Sequence, residues 1–245
     1  MIDLLVGEWL KLRTTRLLYG MVIATLALTM AAVAGAVLSD GGAVADLEST
    51  AGIRRIFSVT GSGALVMLVL GIIISAGEYR HGTAADTFLT TARRHRVVVA
   101  KVAFGAGLGL GVGLLVSTCA LALAVGLYRV EGASFPFDEP EVWLTLAGTV
   151  VYTTLFAVLG VALGAVVRNQ VLAVAGALGW FAVVEHTLVN LVPDVGRWLP
   201  AAAGQAIVRT HLPGLLSPIG GVTVLVVYAA TAAIAGIGIT ARRDA

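Results

Sequence analysis

The hydrophobic positions of this chain fall in long unbroken runs instead of the short alternating or one-sided patterns of a water-soluble domain. Leu17–Leu38, Ile56–Gly77, Val102–Tyr128, Val142–Val167 and Leu212–Ala241 contain no Asp, Glu, Lys or Arg, and a sixth run, Val171–Val192, is apolar apart from Glu185 and His186. A helix crosses a hydrocarbon core of about 30 Å with about 20 apolar residues, because it closes its backbone hydrogen bonds within itself. Each run meets that length. None alternates with period two, and all exceed the 9–11 residues of a membrane β-strand, which excludes a barrel. The pattern predicts an all-α membrane protein with six transmembrane helices, at 17–38, 56–77, 97–128, 142–167, 171–192 and 215–241, forming one domain over 1–245. The first run reads as a span and not as a removable signal peptide, given its length and the lack of a charge-then-cleavage pattern.

Composition agrees: 58% of residues are hydrophobic and 12% charged, against about 25% charged in soluble domains. The distribution of the charges says more than their sum. Of 16 Lys and Arg, eleven fall on one side of a six-span chain: Lys11, Arg13, Arg16, Arg80, Arg93, Arg94, Arg96, Lys101, Arg168, Arg242 and Arg243. Arg54, Arg55, Arg129, Arg197 and Arg209 fall on the other, among most of the acids. Cytoplasmic loops carry the excess of basic residues, so both termini and the segment 78–96 are expected in the cytoplasm, and 193–214 outside as a re-entrant or interfacial segment. The arm MIDLLVGEWLKLRTTR places Ile2, Leu5, Val6, Trp9 and Leu12 at helical spacing, with Asp3, Lys11 and Thr14 elsewhere. It reads as an amphipathic interfacial helix within 1–16, or else as a basic tail that serves topology alone.

Several chemistries are excluded. The single Cys119 allows no disulfide within the chain and no Cys-based metal site, and no metal ligand set is expected. The only lysines, Lys11 and Lys101, are followed by Leu and Val, so there is no GxxxxGK[ST] phosphate loop. Any nucleotide energy must come from a partner chain. Gly105, Gly109 and Gly113, Gly107 and Gly111, and Gly160 and Gly164 repeat at four-residue spacing inside spans, where they mark close helix packing and not a nucleotide loop.

Between the second and third runs stands GEYRHGTAADTFLTTARRHR. Thr83-Ala-Ala-Asp86 resembles a capping box, Gly82 before it permits a sharp turn, and Phe88 and Leu89 give a short helix ending near Thr91 two apolar points for a partner or the bilayer surface. Such a helix, tied to two spans, can transmit a push; the plainer reading is a loop that fixes topology alone. The string Glu78-Tyr79-Arg80-His81-Gly82-Thr83, then TFLTTARR and Lys101, resembles the loop after the second span of type-2 ATP-binding-cassette (ABC) transporter permeases, and EWLKLRTTR is similar to their elbow helix. The chain differs at Ala92, where such permeases commonly have Pro. The resemblance implies a bacterial plasma-membrane subunit, an exporter in most of the family, which has no catalytic residue or cofactor of its own. It implies cytoplasmic ABC ATPase subunits that bring ATP and Mg, a second permease subunit, identical or different, that completes the pathway, and coupling through 78–91. Lipid is the remaining partner, and no nucleic acid is expected.

Glu185 and His186 are the ionisable pair inside a span, a placement that points to function or to a specific internal partner. They read either as contacts for cargo or protons, or, the preferred reading, as a structural cap in which Glu185 satisfies polar groups of the segment Pro193–Pro213. Arg168 and Asn169 form a turn that reads as a second, smaller ATPase contact. Arg54 and Arg55 are expected to pair with Asp46 or Glu48, and Tyr128, Trp143 and Trp198 to anchor at the interface. Two rival classes stay open: a proton-coupled carrier that uses Glu185 and His186, and an intramembrane serine protease that uses Ser62, between Gly61 and Gly63, with His186 as base.

Overall fold

A computed structural model of the chain describes residues 2–38, 47–80, 94–210, 212 and 214–242. Regular structure among them is helical throughout. Helix α1 (Ile2–Arg13) precedes α2 (Arg16–Leu38); α3 (Thr50–Ser58) continues through a 3-10 turn, Val59–Gly63, into α4 (Ala64–Arg80). Then come α5 (Arg94–Val130), α6 (Pro140–Val167) and α7 (Gln170–Gly179), which passes through a π-helical stretch, Trp180–Glu185, into α8 (His186–Leu191). Two short helices, α9 (Pro193–Gly196) and α10 (Pro200–Ile207), lead to α11 (Pro218–Arg242).

Six stretches are long and apolar enough to cross a membrane: Arg16–Leu38, Thr50–Gly77, Arg96–Val130, Pro140–Val167, Gln170–Leu191 and Pro218–Ile239. They fall where the apolar runs predict, but several helices extend past them, because an uncharged run marks only the part that lipid tolerates. The second crossing begins at Thr50, six residues before its apolar run, where the Ser49 hydroxyl accepts from the Gly52 N–H at 3.0 Å and caps the helix. This added turn buries Gly52 and Ile53 while holding Arg54 and Arg55. Pro140 starts α6 without forfeiting a hydrogen bond, and Arg168, in left-handed conformation at φ 55°, ends it. The fifth crossing differs from expectation in being broken by its π-helical stretch.

The chain is built around α6. Its most extensive contacts are with α4, then α5, then α11. Lipid tails are as apolar as side chains, so helices in a bilayer associate through close packing and interhelical hydrogen bonds and not through hydrophobic burial. The α4–α6 contact is backbone against backbone: a Cβ on Gly160 would collide with the Leu68 carbonyl, and a Cβ on Gly71 with that of Ala157. Gly164 continues the seam beside Ile72. On the opposite flank Gly105, Gly109 and Gly113 all face α6, and Cβ atoms there would lie 2.8 Å from Val161 Cγ2, 2.8 Å from Thr154 Cα and 3.0 Å from Val150 Cα. The second ladder does not share this role. Gly107 and Gly111 meet nothing within 4 Å and line an outward apolar groove with Trp9, Tyr19 and Phe104. The hydroxyls of Thr60 and Thr149 hydrogen-bond each other, and Ser117 donates to the Leu146 carbonyl at 3.1 Å.

This packing predicts a contrast between two alanine substitutions. Gly160→Ala should destabilise the protein by at least about 2 kcal/mol, the scale of overpacking, because its neighbour is backbone that cannot yield. Gly176→Ala, which meets nothing within 4 Å, should be neutral. Thermal denaturation of the detergent-solubilised variants checks both; equal stability would contradict the packing.

Candidate functional site

At one end of the bundle α1 docks on α5 through charge. Glu8 and Lys101, 7% and 5% exposed, form an ion pair at 2.8 Å, and Lys11 approaches the other oxygen of Glu8 at 3.4 Å. Leu12 is buried one turn on and joins a cluster with Leu18, Met67 and Val116. The inward face of α1 is therefore part polar, while Val6, Trp9 and Leu10 are exposed. Sequence reading passed over Glu8. Its signal is an acid one turn before Lys11 on the arm, matched by Lys101 at the edge of a 27-residue uncharged run.

Glu78, Tyr79 and Arg80 form the last turn of α4, and α5 begins at Arg94. His81, Gly82, Thr83, Asp86, Phe88 and Leu89 lie outside the described residues. The turn at Arg168 and Asn169 gathers at this same end: the Asn169 side chain accepts from the Leu172 N–H at 3.1 Å and caps α7, and Gln170 Oε1 lies 3.9 Å from where a Cβ on Gly77 would stand. Gly236 of α11 packs on Ala165, so the C-terminal half of α11 lies along the final turns of α6.

The opposite end is held by a different set of charges. Glu141, in the first turn of α6, accepts from Arg54 at 2.7 Å and from the Arg209 guanidinium at 3.0 and 3.1 Å. Arg54 thus pairs with Glu141 and not with Glu48, one of the two acids expected from sequence proximity, and the other, Asp46, lies outside the described residues; the helical turn begun at Ser49 carries Arg54 across to α6. Glu48 instead accepts from the Ser134 N–H at 2.9 Å. Tyr128 is no interfacial anchor either: it is fully buried and donates to the Leu47 carbonyl at 2.8 Å. Trp143 and Trp198 are half exposed.

Glu185 is the buried acid of the fifth crossing, 1% exposed. Helix α10 starts with Pro200, and its N-cap position is Leu199, which has no side-chain acceptor. Its free amides at Ala201 and Ala202 donate to Glu185 Oε1, at 2.5 and 3.2 Å. The carboxylate supplies from another helix the cap that α10 lacks, at the positive end of its dipole. Glu185 is the last residue of the π-helical stretch, and single π turns of this kind recur where a helix must aim a particular side chain. His186 is exposed, and no hydrogen bond joins it to Ser62, which is itself exposed on the 3-10 turn. That arrangement offers no nucleophile–base pair. Among the described residues no group of three His, Cys, Asp or Glu could hold a metal.

No protein-family model matches the chain, and no curated protein matches it.

The ion pair at α1 gives a clear expectation. Glu8→Ala removes a buried counter-charge 2.8 Å from Lys101 and should destabilise the protein, whereas Glu8→Leu with Lys101→Met, which removes both charges of the pair, should recover most of that loss. Thermal unfolding of the two variants and the wild type measures it; equal damage in both would show that charge pairing is not what holds α1.

Proposed function

We propose that this chain is the membrane-spanning permease subunit of an ABC transporter, of exporter type, gated by a separate ATP-binding subunit that grips the segment 78–96. One observation carries the reading: this segment joins the two helices most extensively packed on α6, at the end where α1 and the turn at Arg168 and Asn169 also gather. A force applied between α4 and α5 cannot be absorbed locally, because both are packed backbone-close against α6; it must move the bundle. The basic residues of the sequence collect at this end, which supports a cytoplasmic placement for it and for both termini. The resemblance of EYRHGT and of the EWLKLRTTR arm to the type-2 permeases supplies the family.

In the mechanism that follows, ATP closes a pair of nucleotide-binding subunits and each presses on a helix within 78–91. The pathway between two permease subunits then shifts between arrangements with different access, a coupling between sites and not a covalent reaction in this chain. Arg168 and Asn169 form a second contact for the same partner. Helix α1 is an interfacial elbow fixed by Glu8 and Lys101. The outward faces of the first and fifth crossings, rich in exposed Ile23, Leu28, Val171 and Leu172, are surfaces for lipid or the second subunit.

Isolation of the tagged chain from membranes in mild detergent should recover a polypeptide bearing a GxxxxGK[ST] loop. Phe88→Asp with Leu89→Asp should release that polypeptide and leave the fold of the permease intact by thermal denaturation. A chain that transports alone, or one that retains its ATPase after this substitution, contradicts the proposal.

A further inference from the structure

The capping role of Glu185 uses half of its carboxylate. Oε1 takes both amide hydrogen bonds, whereas Oε2 is buried and meets no donor in hydrogen-bonding geometry; the Trp180 indole N–H is the neighbouring side-chain donor to this carboxylate. A buried carboxylate oxygen without a donor is costly, and where one persists it needs a reason. The side chain lines a cavity of about 370 Å³ between α8 and the α9–α10 segment, together with Phe181, His186, Asn190, Arg197 and Gln205. Arg197 also has a buried nitrogen, Nε, without a partner, and its pairing with Asp194 is long, 3.5 Å, to a carboxylate that is 90% exposed. The cavity lining therefore includes a carboxylate with one unpartnered oxygen and a guanidinium whose Nε is unpartnered and whose one ion pair is long.

Phe181 also borders a second recess of about 320 Å³, lined by Leu163, Leu172, Gly176, Ala177 and Trp180 and almost free of polar surface. A polar cavity that adjoins an apolar groove, both open on the outer surface of a membrane bundle, has the form of a site for an amphiphile. Along α7, Leu172 to Phe181 spans about 14 Å at 1.5 Å per residue, room for much of an acyl chain. The polar end selects the headgroup: Glu185 Oε2 asks for an N–H donor with positive charge, and the Arg197 guanidinium for an anionic oxygen. The Glu185 carboxylate and the Arg197 guanidinium belong to the same cavity lining.

We infer that this composite cavity binds a phospholipid whose headgroup joins a primary ammonium to a phosphate, with the ammonium on Glu185, the phosphate on Arg197 and an acyl chain in the groove beside Trp180. The site needs no ATPase, so its test is independent of the transport reading. The purified chain is delipidated, incubated with equal phosphatidylethanolamine and phosphatidylcholine, and its retained lipid measured by mass spectrometry. The ethanolamine lipid should be retained about tenfold over the choline lipid, whose quaternary nitrogen has no N–H, the size of one charged hydrogen bond. Glu185→Gln keeps an oxygen for the two amides of α10 and should bring that ratio close to one. Arg197→Gln should lower retention of both lipids. An unchanged ratio in Glu185→Gln with both proteins folded, or no retained lipid at all, overturns the assignment, as does displacement of the bound lipid by an equal concentration of glycerophosphoethanolamine, which has the head without the chain.

Discussion

The contact between α4 and α6 at Gly71 and Gly160 is the constraint on which the remaining architecture rests. In lipid there is no gain from hiding one apolar helix against another, so the bundle can be specified only where backbones come close enough for dispersion and weak polar contacts to exceed those made with acyl chains. Glycine on both helices allows that approach, and the missing side chains leave no soft material between them. The glycine ladder at Gly105, Gly109 and Gly113 repeats the arrangement on the other flank of α6. The result is a stiff central unit of three helices, with α2 and α7 lying more loosely outside it. Stiffness is what a transmission device requires, since a compliant bundle would lose a displacement made at one end before it reached the other.

The charges serve this scaffold at its two ends. Glu8 and Lys101 fasten α1 at one, and Glu141 ties α3, α6 and the end of α10 together at the other through Arg54 and Arg209. Between Glu141 and Glu185 the segment 193–210 is held from both sides, although it contains only two short helices that could not stand alone. Pro200 and Leu199 leave α10 without a cap of its own, so the position of this segment depends on an acid fifteen residues before Pro200 in sequence. A side chain that both fixes such a segment and borders a cavity connects that cavity to the Glu141 end of the bundle.

Much of this was legible in the sequence. The six crossings follow directly from uncharged length, and the helical packing role of Gly105, Gly109, Gly113, Gly160 and Gly164 from spacing. What escaped is information that one chain direction does not contain. Gly107 and Gly111 have the same spacing as their packed neighbours and differ only in the side of α5 they occupy. Arg54 has acids close by in sequence, whereas its partner, Glu141, lies 87 positions on and is brought near only by the fold. Tyr128 at the end of a span looked like an interfacial anchor until the Leu47 carbonyl gave its hydroxyl an internal partner. The π-helical stretch leaves no mark in WFAVVE that distinguishes it from ordinary helix. The cap by Glu185 on the segment Pro193–Pro213 is legible as an acid placed in an apolar span; which amides it meets, those of Ala201 and Ala202, is not.

The central claim is that the segment 78–96 meets a nucleotide-driven partner, and that requires it to face the cytoplasm. With Cys119 replaced by Ala, single cysteines at Thr90 and at Ser134 report the two faces to a membrane-impermeant maleimide applied to intact cells. The account predicts labelling of Ser134→Cys on intact cells and of Thr90→Cys only after the membrane is permeabilised. Labelling of Thr90→Cys from outside an intact membrane would contradict it.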